Sequence, residues 1–188
     1  MAPLVKGFLS EPFFSVKVCV SGQHRSMLDQ VLEFFHIVPD YDINVMQPDQ
    51  TLFDITANTL RGLQPILDDC KPDVIFVQGD TTTALVGALA RFYKKIKVAH
   101  IEAGLRSDNK LSPYPEEMNR LLIGRMADYH FVPTKKAQEN LEREGIKQGI
   151  YNVGNSVIDA LFLAVDLIKN ENQSFYQTTF ANIRLDKR

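Results

Sequence analysis

Residues 73–85 read DVIFVQGDTTTAL. Val74-Ile75-Phe76-Val77 is a continuous apolar run, as expected of a strand buried on both faces. Gly79-Asp80 ends it, three threonines follow, and a helical apolar pattern starts with TTALVGALARFYKK, 82–95. A strand that passes through a polar turn directly into a helix is one half of a βαβ unit. In such sheets ligands sit beyond the carboxyl ends of the strands. Asp80 lies at that point. It is a good helix N-cap, and it is also placed to be half of an active site.

The same alternation runs outward in both directions. FSVKVCVSG (14–22) and YDINVM (41–46) read as strands, and residues 24–37 and 51–69 as helices. Thr51 caps the second helix, and Pro65 predicts a kink or break in it. Downstream, strands are expected at 97–104, 128–134 and 149–155. Helices are expected at 116–127, 135–145 and 156–170, with a long loop over 105–115. This pattern predicts an α/β fold with a parallel sheet and helices on both faces.

Bulk composition narrows the function. The 188 residues are enough for one well-cored domain, with 45% apolar content. Lys and Arg number 21 against 23 Asp and Glu, with no basic stripe, which argues against nucleic acid. Cys19 and Cys70 fit neither a metal pattern nor a disulfide framework and read as reduced thiols of a cytoplasmic protein. The greasy start MAPLVKGFLSEPFFSVKVCV is broken by Lys6, Glu11 and Lys17 and does not read as a signal peptide. No apolar run reaches membrane-spanning length. Neither G-x-G-x-x-G nor G-x-x-x-x-G-K-[ST] occurs, which argues against a dinucleotide cofactor and P-loop chemistry.

Three segments place polar groups where ligands bind: Gly79-Asp80 with Thr81 to Thr83, His100 and Glu102 on the strand 97–104, and Glu116, Glu117, Asn119 and Arg120 in the first turns of the helix after the loop. Each has a plain structural reading. Asp80 could be a cap, Glu116 and Glu117 suit a helix dipole, and His100 reads as a satisfied core histidine. Glu102 is harder to dismiss. A carboxylate inside an apolar strand costs several kcal/mol unless it is paired or shifts its pKa; a buried pair with Arg106 is one reading, a tuned carboxylate at the ligand face of the sheet the other. Converging carboxylates with a nearby cation suit proton transfer at carbon, and helix N-termini at the same edge suit phosphate. From the residues alone, the expectation is acid–base chemistry on a phosphate-bearing small molecule.

Five blocks in order carry a more specific resemblance: SGQHRSMLDQVL (21–32), QGDTTTAL (78–85), HIEAGLRS (100–107), SPYPEEMNR (112–120) and VGNSVIDAL (153–161). Together they closely resemble the non-hydrolysing UDP-N-acetylglucosamine 2-epimerases. The resemblance implies one Rossmann-like half of a GT-B two-domain fold. It implies interconversion of UDP-N-acetylglucosamine and UDP-N-acetylmannosamine for bacterial surface polysaccharides. The route is carbon-2 deprotonation with loss and re-addition of UDP, with no cofactor and no metal. It matches Asp80, Glu102 and Glu116 to catalytic carboxylates, Arg120 to a contact with UDP, and Gln23, His24 and Arg25 to a second, activating UDP-N-acetylglucosamine site. Ser26 and Asp49 stand where members with that site tend to carry Gln and Arg. A polar strand-to-helix turn is the plain reading of Gln23-His24-Arg25.

The resemblance further implies a homodimer in the full-length enzyme. It assigns 1–170 to the amino-terminal domain without its first strand and 171–188 to a tail or interdomain linker, with the second domain absent. Strands flanking the missing one should lose ladder partners, and the isolated chain should lack turnover. Two other readings stand beside this one: a hydrolysing relative that releases free N-acetylmannosamine, and a non-catalytic remnant that binds a nucleotide sugar or a partner.

Overall fold

The computed structural model describes residues 1–22, 25–47 and 49–170. The chain runs α1 (Ala2–Leu9), β1 (Cys19–Val20), α2 (Arg25–Phe34), β2 (Tyr41–Asp42), α3 (Leu52–Cys70), β3 (Val74–Gln78), α4 (Thr82–Tyr93), β4 (Lys97–Ile101), α5 (Glu116–Met126), β5 (Tyr129–Val132), α6 (Lys135–Arg143), β6 (Ile150–Asn152) and α7 (Ser156–Asn170).

Strands β3 to β6 form one parallel sheet in sequence order, with Val77 opposite His100 and Gln78 opposite Ile101. β1 and β2 form a separate parallel pair. Neither β1 nor β3 has a ladder partner on its other edge among the described residues. β1 and β2 each keep only two residues of the longer runs expected at 14–22 and 41–46. A strand paired on one side only leaves half of its backbone groups to water, and its ladder ends early.

Alternation along each strand sorts the faces. Val77, Val98 and Ile123 join Ala84 and Ala88 of α4 in one core, and Val132 joins Ala137 and Leu141 of α6 in another. The opposite face carries a row of rings. Phe76 lies 6.3 Å from Phe131, which lies 5.5 Å from Tyr151, and Phe8 of α1 packs on Phe76 at 5.0 Å. α1 meets α7 on that side, so helices cover both faces.

α3 shows how local chemistry sets the elements. Thr51 Oγ1 accepts from the Asp54 N–H, and the Asp54 carboxylate accepts from the Thr51 N–H, a reciprocal capping box. Pro65 lies inside the helix and does not break it. It removes one donor, and the capped start and packing against α4 hold the rest. Among the described residues no helix is long and apolar enough to cross a membrane. The tail 171–188 lies outside the described residues.

Candidate active site

Asp80 is not the cap. Thr81 is: its Oγ1 accepts the Ala84 N–H at 3.2 Å. The Asp80 carboxylate instead receives Arg120 Nη2, and its side chain stays 26% exposed. Both peptide groups around Asp80 are also held. The Gly79 N–H donates to Ile101 O at 3.0 Å, and the Gly79 carbonyl accepts from His100 Nε2 at 2.8 Å. The Asp80 carbonyl accepts from Asn119 Nδ2 at 2.8 Å. A carbonyl only accepts, so His100 carries its proton on Nε2. Burial pushes the His100 ring down to about 4, which keeps it neutral at pH 7. His100 is 1% exposed and sits in the core, as read from the sequence, but only its Nε2 is satisfied; Nδ1 has no partner among the described residues.

Glu102 lies just past β4 rather than inside it, with φ at +64°. That left-handed backbone is uncommon for a side chain other than glycine, asparagine or aspartate. It swings the carboxylate over the turn: a Cβ added at Gly79 would lie 3.9 Å from Glu102 Oε2. Glu102 borders a groove of about 250 Å³ floored by Phe76 and Phe131, so it faces open space and not core.

The Glu102–Arg106 pair, one of the two readings of Glu102, does not form. Arg106 gives a two-pronged contact to Glu144, Nε–Oε1 at 2.6 Å and Nη2–Oε2 at 2.9 Å. The cause is the turn at Gly104, whose carbonyl accepts from Asn140 Nδ2 at 2.9 Å. That turn carries the chain against the start of α6 and delivers Arg106 to the end of the same helix.

α5 presents the third carboxylate. Glu116 is its first residue, partly buried, and no hydrogen bond or ion pair joins it to another described side chain. Its neighbour Glu117 differs completely. Glu117 is 1% exposed and accepts from the Ser107 and Asp108 N–H groups at 3.1 and 3.2 Å. It also pairs with Arg120 Nη1 at 3.2 Å. These contacts tie Glu117 to the loop and to its own helix, a structural role. Arg120 therefore joins Glu117 to Asp80.

The turn after β3 and the first turns of α5 thus bring Arg120 onto Asp80, the residue after β4 brings Glu102 over Gly79, and Glu116 stands one turn before Arg120 on α5. Arg25 stays with the two-stranded piece, paired to Asp42 and, at 3.0 Å, to Asp29. Gln23 and His24 lie outside the described residues. The roles of Asn119 and His100 as ties to the Asp80 backbone were not legible in the sequence. The one available signal was the spacing of Asn119, three residues after Glu116 and so on the same side of the helix. No group of three or more His, Cys, Asp or Glu side chains that could hold a metal ion occurs among the described residues.

The family model for UDP-N-acetylglucosamine 2-epimerase matches residues 8–185. The chain belongs to that family. It is 55% identical over 172 residues to a UDP-N-acetylglucosamine 2-epimerase of Campylobacter jejuni, covering 91% of this chain and 45% of the relative. It is 53% identical over 174 residues to the enzyme of that name from Escherichia coli K12, covering 92% and 46%. The structure of the UDP-GlcNAc 2-epimerase of Neisseria meningitidis bound to UDP-GlcNAc superposes with a TM-score of 0.91 at 43% identity, over 98% of this chain and 51% of that one. The chain spans about half the length of the curated relatives it matches.

Proposed function

We propose that this chain supplies the carboxylate-bearing half of a UDP-N-acetylglucosamine 2-epimerase. The observation that carries the reading is the Arg120–Asp80 pair at the end of β3, with Glu102 over Gly79 at the next strand end and Glu116 on the helix that carries Arg120, neither glutamate hydrogen-bonded to another described side chain. One carboxylate takes the proton from sugar carbon 2. The C–H electron pair becomes the C1=C2 double bond, and the C1–O bond breaks as UDP leaves. Re-addition of UDP, with a proton delivered to carbon 2 from the other face, gives the epimer. Two carboxylates on opposite faces of the sugar are the minimum for this exchange. Arg120 orients Asp80 and holds positive charge beside the departing diphosphate.

The proposal extends to a homodimeric full-length enzyme, with Phe53, Phe92 and Tyr93 among the exposed apolar side chains open to such contact. It also places the chain in a reducing, cytoplasmic setting, with Cys19 and Cys70 as free thiols. Arg25 is retained as a candidate contact in a second, activating nucleotide-sugar site.

The test is proton exchange at sugar carbon 2. The chain is incubated with UDP-N-acetylglucosamine in deuterium oxide, alone and with the carboxy-terminal half of the E. coli relative supplied separately. Exchange that disappears with Asp80→Asn supports the proposal. No exchange from a folded chain bound to its complement overturns it. Product analysis separates UDP-N-acetylmannosamine from the free sugar.

A further inference from the structure

The two peptide groups that meet at the Asp80 Cα are each tied by a side chain from a different element. His100 on β4 holds the Gly79 carbonyl, and Asn119 on α5 holds the Asp80 carbonyl, both at 2.8 Å. A residue has only two soft backbone dihedrals. Pinning the peptide plane on each side of Asp80 therefore fixes its φ and ψ, and with them the direction of its Cα–Cβ bond. Only side-chain rotation is left, and Arg120 takes that by binding the carboxylate.

The ties also reach the other two acids. Asn119 and Arg120 are consecutive on α5, and Glu116 lies one turn before them. His100 lies two residues before Glu102. One turn of α5 thus grips both the backbone and the carboxylate of Asp80 while carrying Glu116. β4 grips the same turn from the other side and leads directly into Glu102. We propose that Asn119 and His100 are positioning residues that set the Asp80 carboxylate relative to Glu116 and Glu102, an inference that rests on reading those three as the acid–base groups.

Burial makes both ties effective. Asn119 is 5% exposed and His100 is 1% exposed, so water does not compete for either carbonyl. The neutral ring has a single N–H, and Gly79 holds it; Nδ1 has no partner among the described residues. A histidine that merely filled the core would be replaceable by leucine without moving Asp80.

The test is a double-mutant cycle, Asp80→Asn with Arg120→Gln, read by urea unfolding of the chain. It is repeated in the Asn119→Ala, His100→Leu and His100→Gln backgrounds. The Asp80–Arg120 coupling is expected to fall to less than about half in the Asn119→Ala and His100→Leu backgrounds. It should return with His100→Gln, whose amide nitrogen occupies the Nε2 position. A merely structural role would lower overall stability and leave the coupling unchanged, and that result overturns the proposal. Where Asn119→Ala fails to fold, the unmutated chain decides: its Asn119 side-chain amide protons should exchange with solvent at least about tenfold more slowly than those of an exposed asparagine. Exchange at the exposed rate also overturns the proposal. In the assembled enzyme, Asn119→Ala should lower kcat at least about tenfold with KM changed less than about twofold. Loss of carbon-2 exchange in Asp80→Asn tests the catalytic reading separately, so either can fail without the other.

Discussion

Arg120 reaches from the second turn of α5 to the Asp80 carboxylate in the turn after β3, and the same guanidinium holds the buried Glu117. One cation thus serves two acids with opposite fates. Glu117 is sealed beneath the loop that follows Arg106, while Asp80 stays open at the sheet edge. The pairing joins an element of the core to an element of the candidate site, so the strand order that buries Val77 and Val98 also decides where the Asp80 carboxylate opens to solvent.

Adjacent acids on α5 should separate chemistry from stability. Glu116→Gln changes a carboxylate with no described side-chain partner, so unfolding free energy should stay within about 0.5 kcal/mol. Carbon-2 exchange in the assembled enzyme should fall at least about a hundredfold, the usual size of a general acid–base contribution. Glu117→Gln puts an amide against the Ser107 and Asp108 N–H groups and weakens the Arg120 pair. It should cost about 1–3 kcal/mol, as for a buried group left badly partnered. Urea unfolding and proton exchange on the same two variants check both halves; equal effects on both readouts would refute the division.

Much of this site was legible because the strand-end rule points at residues rather than at folds. Val74 to Val77 announced a strand, though only Val77 of the run is buried, and the rule then marked Asp80 and Glu102 without knowledge of their neighbours. The failures share one cause. With Thr81, Thr82 and Thr83 in a row, sequence alone could not say that Thr81 would take the cap and release Asp80. Glu102 and Arg106 stand four residues apart, within reach on paper. The left-handed turns at Glu102 and Gly104 send them to different elements. Both outcomes depend on backbone handedness over two or three residues, which apolar periodicity does not encode.

Acid should weaken the fold through its buried histidines before its carboxylates. Burial lowers the His100 pKa to about 4 against 6.5 when unfolded, and lowers that of His130 as well. Between those values the unfolded chain binds the extra proton, so stability is full above pH ~6.5 and declines as pH falls toward 4. The shift on His100 corresponds to about 3 kcal/mol at its limit. Asp40 and Asp42 are held low by hydrogen bonds from Lys17 and Arg25, so their share is lost only at lower pH. Urea midpoints from pH 7 to 4 should therefore fall in the unmutated chain and fall less in His100→Gln. Identical slopes would show that His100 does not enter folding as a neutral ring.

Two glycines with similar backbone angles should respond very differently to alanine. Gly104 and Gly145 have φ of +83° and +86°. A Cβ at Gly104 would lie 2.2 Å from the Ala137 carbonyl oxygen, inside the start of α6, whereas at Gly145 it meets nothing within 4 Å. Gly145→Ala should cost only the left-handed strain, about 1–2 kcal/mol. Gly104→Ala adds a backbone overlap that cannot be relieved by rotating a side chain, and should exceed about 4 kcal/mol or prevent folding. Thermal melts of the two variants check this, and a melting loss at Gly104 no larger than at Gly145 would rule out the close approach to α6.

Arg25 offers the cleanest separation of a structural role from a ligand role. Its partners Asp29 and Asp42 leave the pair about half and a third exposed, and solvent screens such contacts heavily. Truncation to Arg25→Ala should therefore cost less than about 1 kcal/mol in unfolding free energy. A side chain that cheap to remove gives a clean reading of any binding effect. If Arg25 contacts an activating nucleotide sugar, the variant assembled with its complementary half should lose the upward curvature of rate against substrate concentration while keeping its basal rate. An unchanged curve would leave Arg25 with its ion pairs to Asp29 and Asp42 at the start of α2 and nothing more.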